Sequence, residues 1–181
     1  MRIIAGKCRG RVLRTPGLGS VNAGIRPTAD RVKEALFSIL GNRIRGAKVL
    51  DLYAGTGALG LEALSRGADR AVFVDNGDAA LALLNKNVEL CGFSERSIII
   101  RRDLTRGLAF LPGLAPAGGF DLIFLDPPYR QGSVALFLNG LADLPLLAPD
   151  GLVIAEEGAE VELAEAWPNS LGGRLLQMAH A

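Results

Sequence analysis

The stretch from Val49 to Gly60, VLDLYAGTGALG, carries the most chemistry per residue in the chain. Apolar residues lead into glycines at 55, 57 and 60, and a helix-forming run opens behind them. Glycine lets a backbone turn tightly and lets a ligand approach it, while the start of a helix offers unpaired N–H groups. Asp75 closes the next apolar run, where a carboxylate can take both hydroxyls of a ribose. Alone, this matches the dinucleotide fingerprint G-x-G-x-x-G with an acid about 20 residues on, and NAD has to be weighed. Asp51 separates the two cofactors. It stands four residues ahead of Gly55, where it would repel a pyrophosphate but sit close to the ammonium of an aminocarboxylate ligand. A ligand with ribose, adenine, a cation and no phosphate answers this pattern, and S-adenosylmethionine is such a ligand.

A second stretch, FDLIFLDPPY from Phe120 to Tyr129, puts Asp126, Pro127, Pro128 and Tyr129 behind an apolar run. In open α/β sheets, ligands bind at the carboxyl ends of strands. Consecutive prolines fix the backbone and remove two N–H donors, so nearby carbonyls must find another donor. An exocyclic amino group supplies one. Its lone pair is delocalised into the base, which makes it a weak nucleophile. Accepting its hydrogens at Asp126 Oδ and the Pro127 carbonyl steers that lone pair toward a methyl sulfonium, and Tyr129 can stack on the base. The chemistry is positioning and electrostatics.

These residues need a frame, and the chain supplies one. Apolar runs at Lys48–Leu52, Arg70–Asp75, Ser97–Arg101, Phe120–Leu125 and Gly151–Glu156 alternate with helical stretches at Ala58–Arg66, Asp78–Leu90 and Val134–Leu141. Asn76 or Asp78 is the expected cap of the second of these helices. Such alternation predicts a doubly wound, mostly parallel α/β sheet. Leu111–Gly119, rich in Pro and Gly, reads as a loop. Ahead of the sheet, Arg2–Ala5 and Arg11–Thr15 flank Gly6–Gly10 as a hairpin, and a Gly/Pro loop follows at Pro16–Gly24. Thr28 is the expected cap of a helix carrying Val32, Leu36, Ile39 and Leu40 on one face. The expected organisation is a basic hairpin arm, 1–27, and a cofactor-binding domain, 28–181.

Composition narrows the function. The chain has 181 residues, 49% hydrophobic and 22% charged, as expected of one globular domain with a short additional element. Cys8, Cys91 and His180 are its only cysteines and histidine, which leaves no disulfide framework, no Cys/His zinc cluster and no two-histidine catalysis; no metal is expected. No apolar stretch is long enough to span a bilayer, and the first residues lack the apolar core of a signal peptide, so a cytoplasmic protein is the expectation. Net charge is +1, yet residues 1–48 carry +9 and residues 49–181 carry −8. That asymmetry points to a basic appendage facing a polyanion, on a more acidic body. Arginine dominates the appendage, and arginine suits phosphate recognition.

Taken together, Asp51, the Gly-Thr-Gly turn, Asp75, Asp103 and Asp126-Pro127-Pro128-Tyr129 resemble the class I S-adenosylmethionine-dependent amino-methyltransferases. The N-terminal MRIIAGKCRGR and the run IRPTADRVKEALF from Ile25 to Phe37 resemble, more narrowly, the small-subunit (16S) rRNA guanine-N2 methyltransferase family. The resemblance covers roughly residues 1–158. It implies that Asp51, Gly55 and Gly57 line the methionine end of S-adenosylmethionine, that Asp75 holds its ribose and that Asp103 reaches its adenine amino group. Tyr53, Ala54, Thr56, Asn76 and Leu104 would be cofactor-binding residues beside them. Asp126, Pro127, Pro128 and Tyr129 would hold the guanine. Arg26, Thr28 and Arg31 would lie at the mouth of the active site, with Arg9, Arg11 and Arg14 on an RNA-facing arm. Members usually end in two further strands, whereas here Gly172–Met178 offers one, so the C-terminal strands are expected to be incomplete. The reading is methyl transfer to guanine N2 of 16S rRNA, naked or in an assembling or assembled small subunit, by a monomer. Its rivals are an adenine-N6 DNA or RNA methyltransferase and a non-catalytic RNA-binding assembly factor; a protein-glutamine methyltransferase would favour Asn at position 126.

Overall fold

A computed structural model describes residues 1–16, 27–127, 133–158 and 174–180. Ten regular elements follow in chain order: α1 (Pro27–Leu40), β1 (Lys48–Leu52), α2 (Ala58–Ser65), β2 (Arg70–Asp75), α3 (Asp78–Cys91), β3 (Ser97–Arg101), β4 (Phe120–Leu125), α4 (Ser133–Ala142), β5 (Leu147–Gly158) and β6 (Arg174–His180). The six strands form one parallel sheet in the order β3-β2-β1-β4-β5-β6. The chain winds outward from β1 in one direction and then, from β4, in the other. This is the doubly wound α/β architecture, and its switch point lies between β1 and β4.

Side chains alternate across the sheet, so strands β1 to β5 each feed two cores. Val49, Ala71, Phe73 and Phe124 pack toward α1, α2 and α3, together with Ile3, Cys8 and Leu13 of the N-terminal segment. Leu50, Leu52, Val72, Val74, Ile123 and Leu125 pack toward α4, with Leu104 and Leu111. Phe120 belongs to the α4 side although Leu122, two residues on, faces the other core. The register between β4 and β5 shifts between these two residues, and Leu147–Gly158 therefore starts earlier than the expected Gly151–Glu156. Asp150, at φ 62, lies inside that strand, where Pro149-Asp150-Gly151 reads locally as a turn.

Other expectations shift by a residue or two. Helix α1 begins at Pro27, so proline takes the first helical position, where its missing N–H costs nothing, and Thr28 lies within the helix rather than capping it. Its buried face is Leu36, Phe37 and Leu40, and Ile39 is 69% exposed. Helix α3 is capped by the backbone of Gly77, without a side-chain cap from Asn76 or Asp78. A short 3-10 turn occupies Leu111–Leu114 within the expected loop. Of the expected loop Pro16–Gly24, only Pro16 lies among the described residues.

The N-terminal hairpin is present as a narrow antiparallel pairing, with Arg2 opposite Val12 and Ile3 N–H donating to Arg11 O at 2.9 Å. It is riveted to the body. Glu62 in α2, fully buried, accepts from Ile4 N at 2.8 Å and Ala5 N at 3.0 Å, and pairs with Lys33 at 3.2 Å and Arg66 at 2.7 Å. Gly6 lies so close to α2 that an added Cβ would fall 1.9 Å from Ser65 O, and its φ of +82 also suits glycine alone.

Candidate functional site

At the switch point the carboxyl ends of β1 and β4 lie side by side, with Leu52 paired to Leu125. Ligands of such sheets bind in the crevice beyond these ends. Asp51 comes up on β1, buried to 2% exposure, and its Oδ2 accepts from Gly60 N, at the start of α2, at 2.9 Å. Burial, reinforced by the neighbouring Asp126 and Asp75 carboxylates, pushes Asp51 up to about 7, against the Gly60 N–H, which lowers it. Asp75, at the end of β2, is half-buried and clamps two backbones. Its Oδ2 accepts from Gly55 N and its Oδ1 from Gly77 N, both at 2.8 Å. Each carboxylate oxygen can accept more than one hydrogen bond, so this clamp leaves Asp75 able to take hydroxyls as well.

The turn between β1 and α2 is held in a strained shape. Tyr53 has φ 59, an uncommon value for a residue with a side chain, and its ring meets Phe137 of α4 edge-on at 5.3 Å. Burial first, then the Asp103 and Asp75 charges, raise its hydroxyl to about 12. Ala54 N donates to Val74 O, and Gly57 N to Ala54 O, tying the turn to β2 and to itself. Above Gly55 there is open space: a Cβ there would meet nothing nearer than Tyr53 O at 3.9 Å. Thr56 O accepts from the buried Asn87 Nδ2 at 3.0 Å.

Beyond β3, Asp103 caps a short turn by accepting from Thr105 N at 3.0 Å and Thr105 Oγ1 at 2.6 Å. These bonds, with Arg106 close by, lower its pKa and keep it ionised. Asp103 and Asn76 line one cavity of about 630 Å³ with Arg101, Arg102, Arg106 and Phe110. Leu104 turns its side chain into the α4 core. At the β4 end Asp126 is half-buried and Pro127 buried. Pro128, Tyr129 and Arg26, and the side chain of Thr28, lie outside the described residues. Among the described residues no group of His, Cys, Asp and Glu could hold a metal ion, and no helix is long and apolar enough to cross a membrane.

The basic residues lie on the hairpin and α1. Arg9, Arg11 and Arg31 are exposed, and Arg11 Nη1 donates to Leu90 O at the end of α3. The backbone of Arg14 is held by Asn87, which accepts from Arg14 N at 2.8 Å and donates to Arg14 O at 3.1 Å. Asn87 thus joins the hairpin to the glycine turn through Thr56. Sequence reasoning missed both Asn87 and Glu62. For Glu62 a signal existed: α2 reads ALGLEALS, apolar on every side, so its single acid had to be buried.

Comparison with known proteins agrees with the fold and shows the family. Residues 1–171 match the family described as Conserved hypothetical protein 95. The chain is 36% identical over 160 residues to Ribosomal RNA small subunit methyltransferase D of Escherichia coli, spanning 88% of this chain and 76% of that one. With the protein of the same name from Haemophilus influenzae it shares 39% over 157 residues, 86% of this chain and 78% of that one. A solved hypothetical protein of Thermus thermophilus superposes with a TM-score of 0.73 at 33% identity, over 91% of this chain and 90% of that one. On the match along nearly its whole length and on these identities, the chain belongs to the Conserved hypothetical protein 95 family.

Proposed function

We propose that this chain is an enzyme that transfers a methyl group from S-adenosylmethionine to the exocyclic N2 of a guanine in 16S rRNA. The observation that carries the cofactor is the convergence of Asp51, Asp75 and Asp126 at the switch point, beside a glycine turn with open space above it. Three carboxylates repel a pyrophosphate and attract a cation, so the site fits a sulfonium with an ammonium and disfavours NAD. Asp51 faces the ammonium with Gly55 and Gly57 beside it, Asp75 takes the ribose hydroxyls, and Asp103 and Asn76 line the cavity for the adenine. When bound, the cofactor supplies an electrophilic methyl group.

The chain's own work is to present the amine. Asp126 and the Pro127 carbonyl accept its hydrogens, which aims the lone pair, and Pro128 and Tyr129 hold the base. The names of the relatives, rRNA methyltransferases of the small subunit, favour RNA as the carrier of that base. In this reading residues 1–27 form the RNA-facing element and residues 28–181 the catalytic domain. The enzyme acts in the cytoplasm, as a monomer, on RNA of the assembling small subunit.

The test is methylation of unmodified 16S rRNA, naked and within small-subunit particles, by the purified protein, followed by mass spectrometry of the nucleosides. N2-methylguanosine is expected. N6-methyladenosine would move the reading to the adenine enzymes, and no methylated product would leave an RNA-binding factor. Asp126→Ala should lower the rate by about 10²–10³, far more than it weakens cofactor binding in calorimetry, the signature of a lost preorganised acceptor.

A further inference from the structure

The hairpin and α1 enclose a groove of about 490 Å³, outside the site described above. Its charged lining is Arg2, Arg9, Asp30, Arg31 and Glu34, and Gly10 lies at its edge. The unusual member is Asp30. Its side chain is 8% exposed, and among the described residues neither carboxylate oxygen has a hydrogen-bond donor. A buried polar group in this condition is costly, and each instance needs a reason. Its nearest cation is Arg2, whose Nε lies 3.4 Å from Asp30 Oδ2. Arg2 is fixed at its other end too, because its carbonyl accepts from Lys33 Nζ, and Lys33 is itself buried and paired to Glu62. Yet the Arg2 side chain is 51% exposed, and its contact with Asp30 is made from Nε.

A guanidinium held from its Nε side keeps its outer edge, one N–H from each terminal nitrogen, to bind an oxyanion in two-pronged fashion. Exposed Arg9 and Arg31 flank it. We propose that this groove is a seat for the RNA backbone, in which Arg2 binds a phosphodiester and Asp30 is a positioning residue that holds Arg2 for it. The cavity is of the size that takes a small ligand, so it accommodates one sugar-phosphate unit. This rests on the rRNA reading, and it assigns roles to two residues that the sequence did not single out.

Asp30 gives the decisive test, because two explanations predict opposite signs. If the groove were a diffuse basic surface, Asp30→Asn would remove a negative charge and tighten RNA binding. If Asp30 positions Arg2, the same substitution weakens it, by up to roughly fivefold at low salt, the loss of the partly exposed ion pair that holds Arg2. The measurement is the affinity of the full chain for a 16S rRNA fragment across a salt series, with calorimetric S-adenosylhomocysteine binding as a control. Arg2→Ala should flatten the slope of log K against log salt by about 0.7–0.9, one phosphate contact. Asp30→Asn should then add nothing in the Arg2→Ala background. Should Asp30→Asn fail to fold, Arg2→Ala and Arg2→Lys decide the matter, since lysine keeps the charge but not the fork and should recover only part of the affinity. Wild-type affinity in Arg2→Ala, or tighter binding by Asp30→Asn, overturns the proposal. If the wild-type chain itself neither binds nor methylates 16S rRNA, the rRNA reading has failed. Tight binding of an acidic protein in place of RNA would give the groove to a protein partner and also overturn it.

Discussion

Asp51 shows how one residue can be costly to the fold and useful to the site. Its neutral form is favoured by burial, so the folded chain holds a proton there up to about pH 7, where an unfolded carboxyl would release it near 3.8. The folded state then binds more protons than the unfolded one between those values. The stability this adds is present at low pH and is lost as pH rises through about 7. Asp51→Asn should remove that loss, so that chemical unfolding at pH 5 and pH 8 converges for the variant relative to wild type. A cationic ligand favours the ionised form, so S-adenosylmethionine should bind about tenfold more tightly at pH 7.5 than at pH 6, and Asp51→Asn should flatten the dependence. An identical pH profile in the variant would remove Asp51 from the ligand's surroundings. Asp75 makes a different case, since it holds Gly55 and Gly77 as well as the proposed ribose. Asp75→Ala should weaken cofactor binding by about 1.5–3 kcal/mol in calorimetry. Asp75→Asn keeps an acceptor and should recover part of that loss.

Among the elements, four strands were legible to the residue. Lys48–Leu52, Arg70–Asp75 and Phe120–Leu125 are short apolar runs buried on both faces, which leaves little freedom in where they begin, and Ser97–Arg101 at the sheet edge is marked by its run of isoleucines. The placement of the candidate residues was legible too: Asp75 and Asp126 stand where an apolar run ends, and Asp51 one residue before the end of β1. What could not be read was whatever depends on a partner distant in sequence. The early start of Leu147–Gly158 follows from a register shift against Phe120 and Leu122. The cap of α3 fell to Gly77 because Asp75, rather than Asn76 or Asp78, supplies the local carboxylate. The attachment of the hairpin depends on Glu62, which holds Ile4, Ala5, Lys33 and Arg66 from three parts of the chain. Burial pulls the Lys33 pKa down even though Glu62 pulls it up, so this cation leans on its partner. Glu62→Ala would strand two backbone N–H groups and leave Lys33 and Arg66 without their acid. A destabilisation of about 3–5 kcal/mol in denaturant titration is expected, the loss characteristic of breaking a buried pair from one side. Loss of less than about 1 kcal/mol would mean that the hairpin is anchored by its apolar residues instead.

On the scale of the whole molecule, the proposed function raises the question of how a pocket of one strand end would choose among many guanines. A guanine amine is paired and stacked in a duplex, so the base would have to be unpaired or extruded, and selection would come from surrounding RNA shape. On that proposal the charge distribution favours the N-terminal part as the reader, since residues 1–48 carry +9 against −8 on the remainder. The structure adds that the hairpin is packed on the body. Ile3, Cys8 and Leu13 are buried in the core, and Asn87 ties Arg14 to Thr56 of the glycine turn. RNA held by the hairpin is therefore held in a fixed relation to the proposed cofactor site. If about five arginines meet phosphates, log K should fall with log salt at a slope near −3.5 to −4.5, and a fourfold rise in salt should weaken binding by roughly 100- to 500-fold. Replacing Arg9, Arg11 and Arg14 together by Ala should flatten that slope by about 2–3 and abolish rRNA methylation, with S-adenosylmethionine affinity unchanged. Because Arg11 also donates to Leu90 O, circular dichroism of the variant should accompany the titration. A folded triple variant that keeps the wild-type slope would show that the hairpin is a solvated surface. RNA selection would then fall to the exposed Arg101, Arg102 and Arg106 around the far cavity, where Arg101 and Arg106 already pair with Asp78 and Asp103 and so have less charge to offer a phosphate.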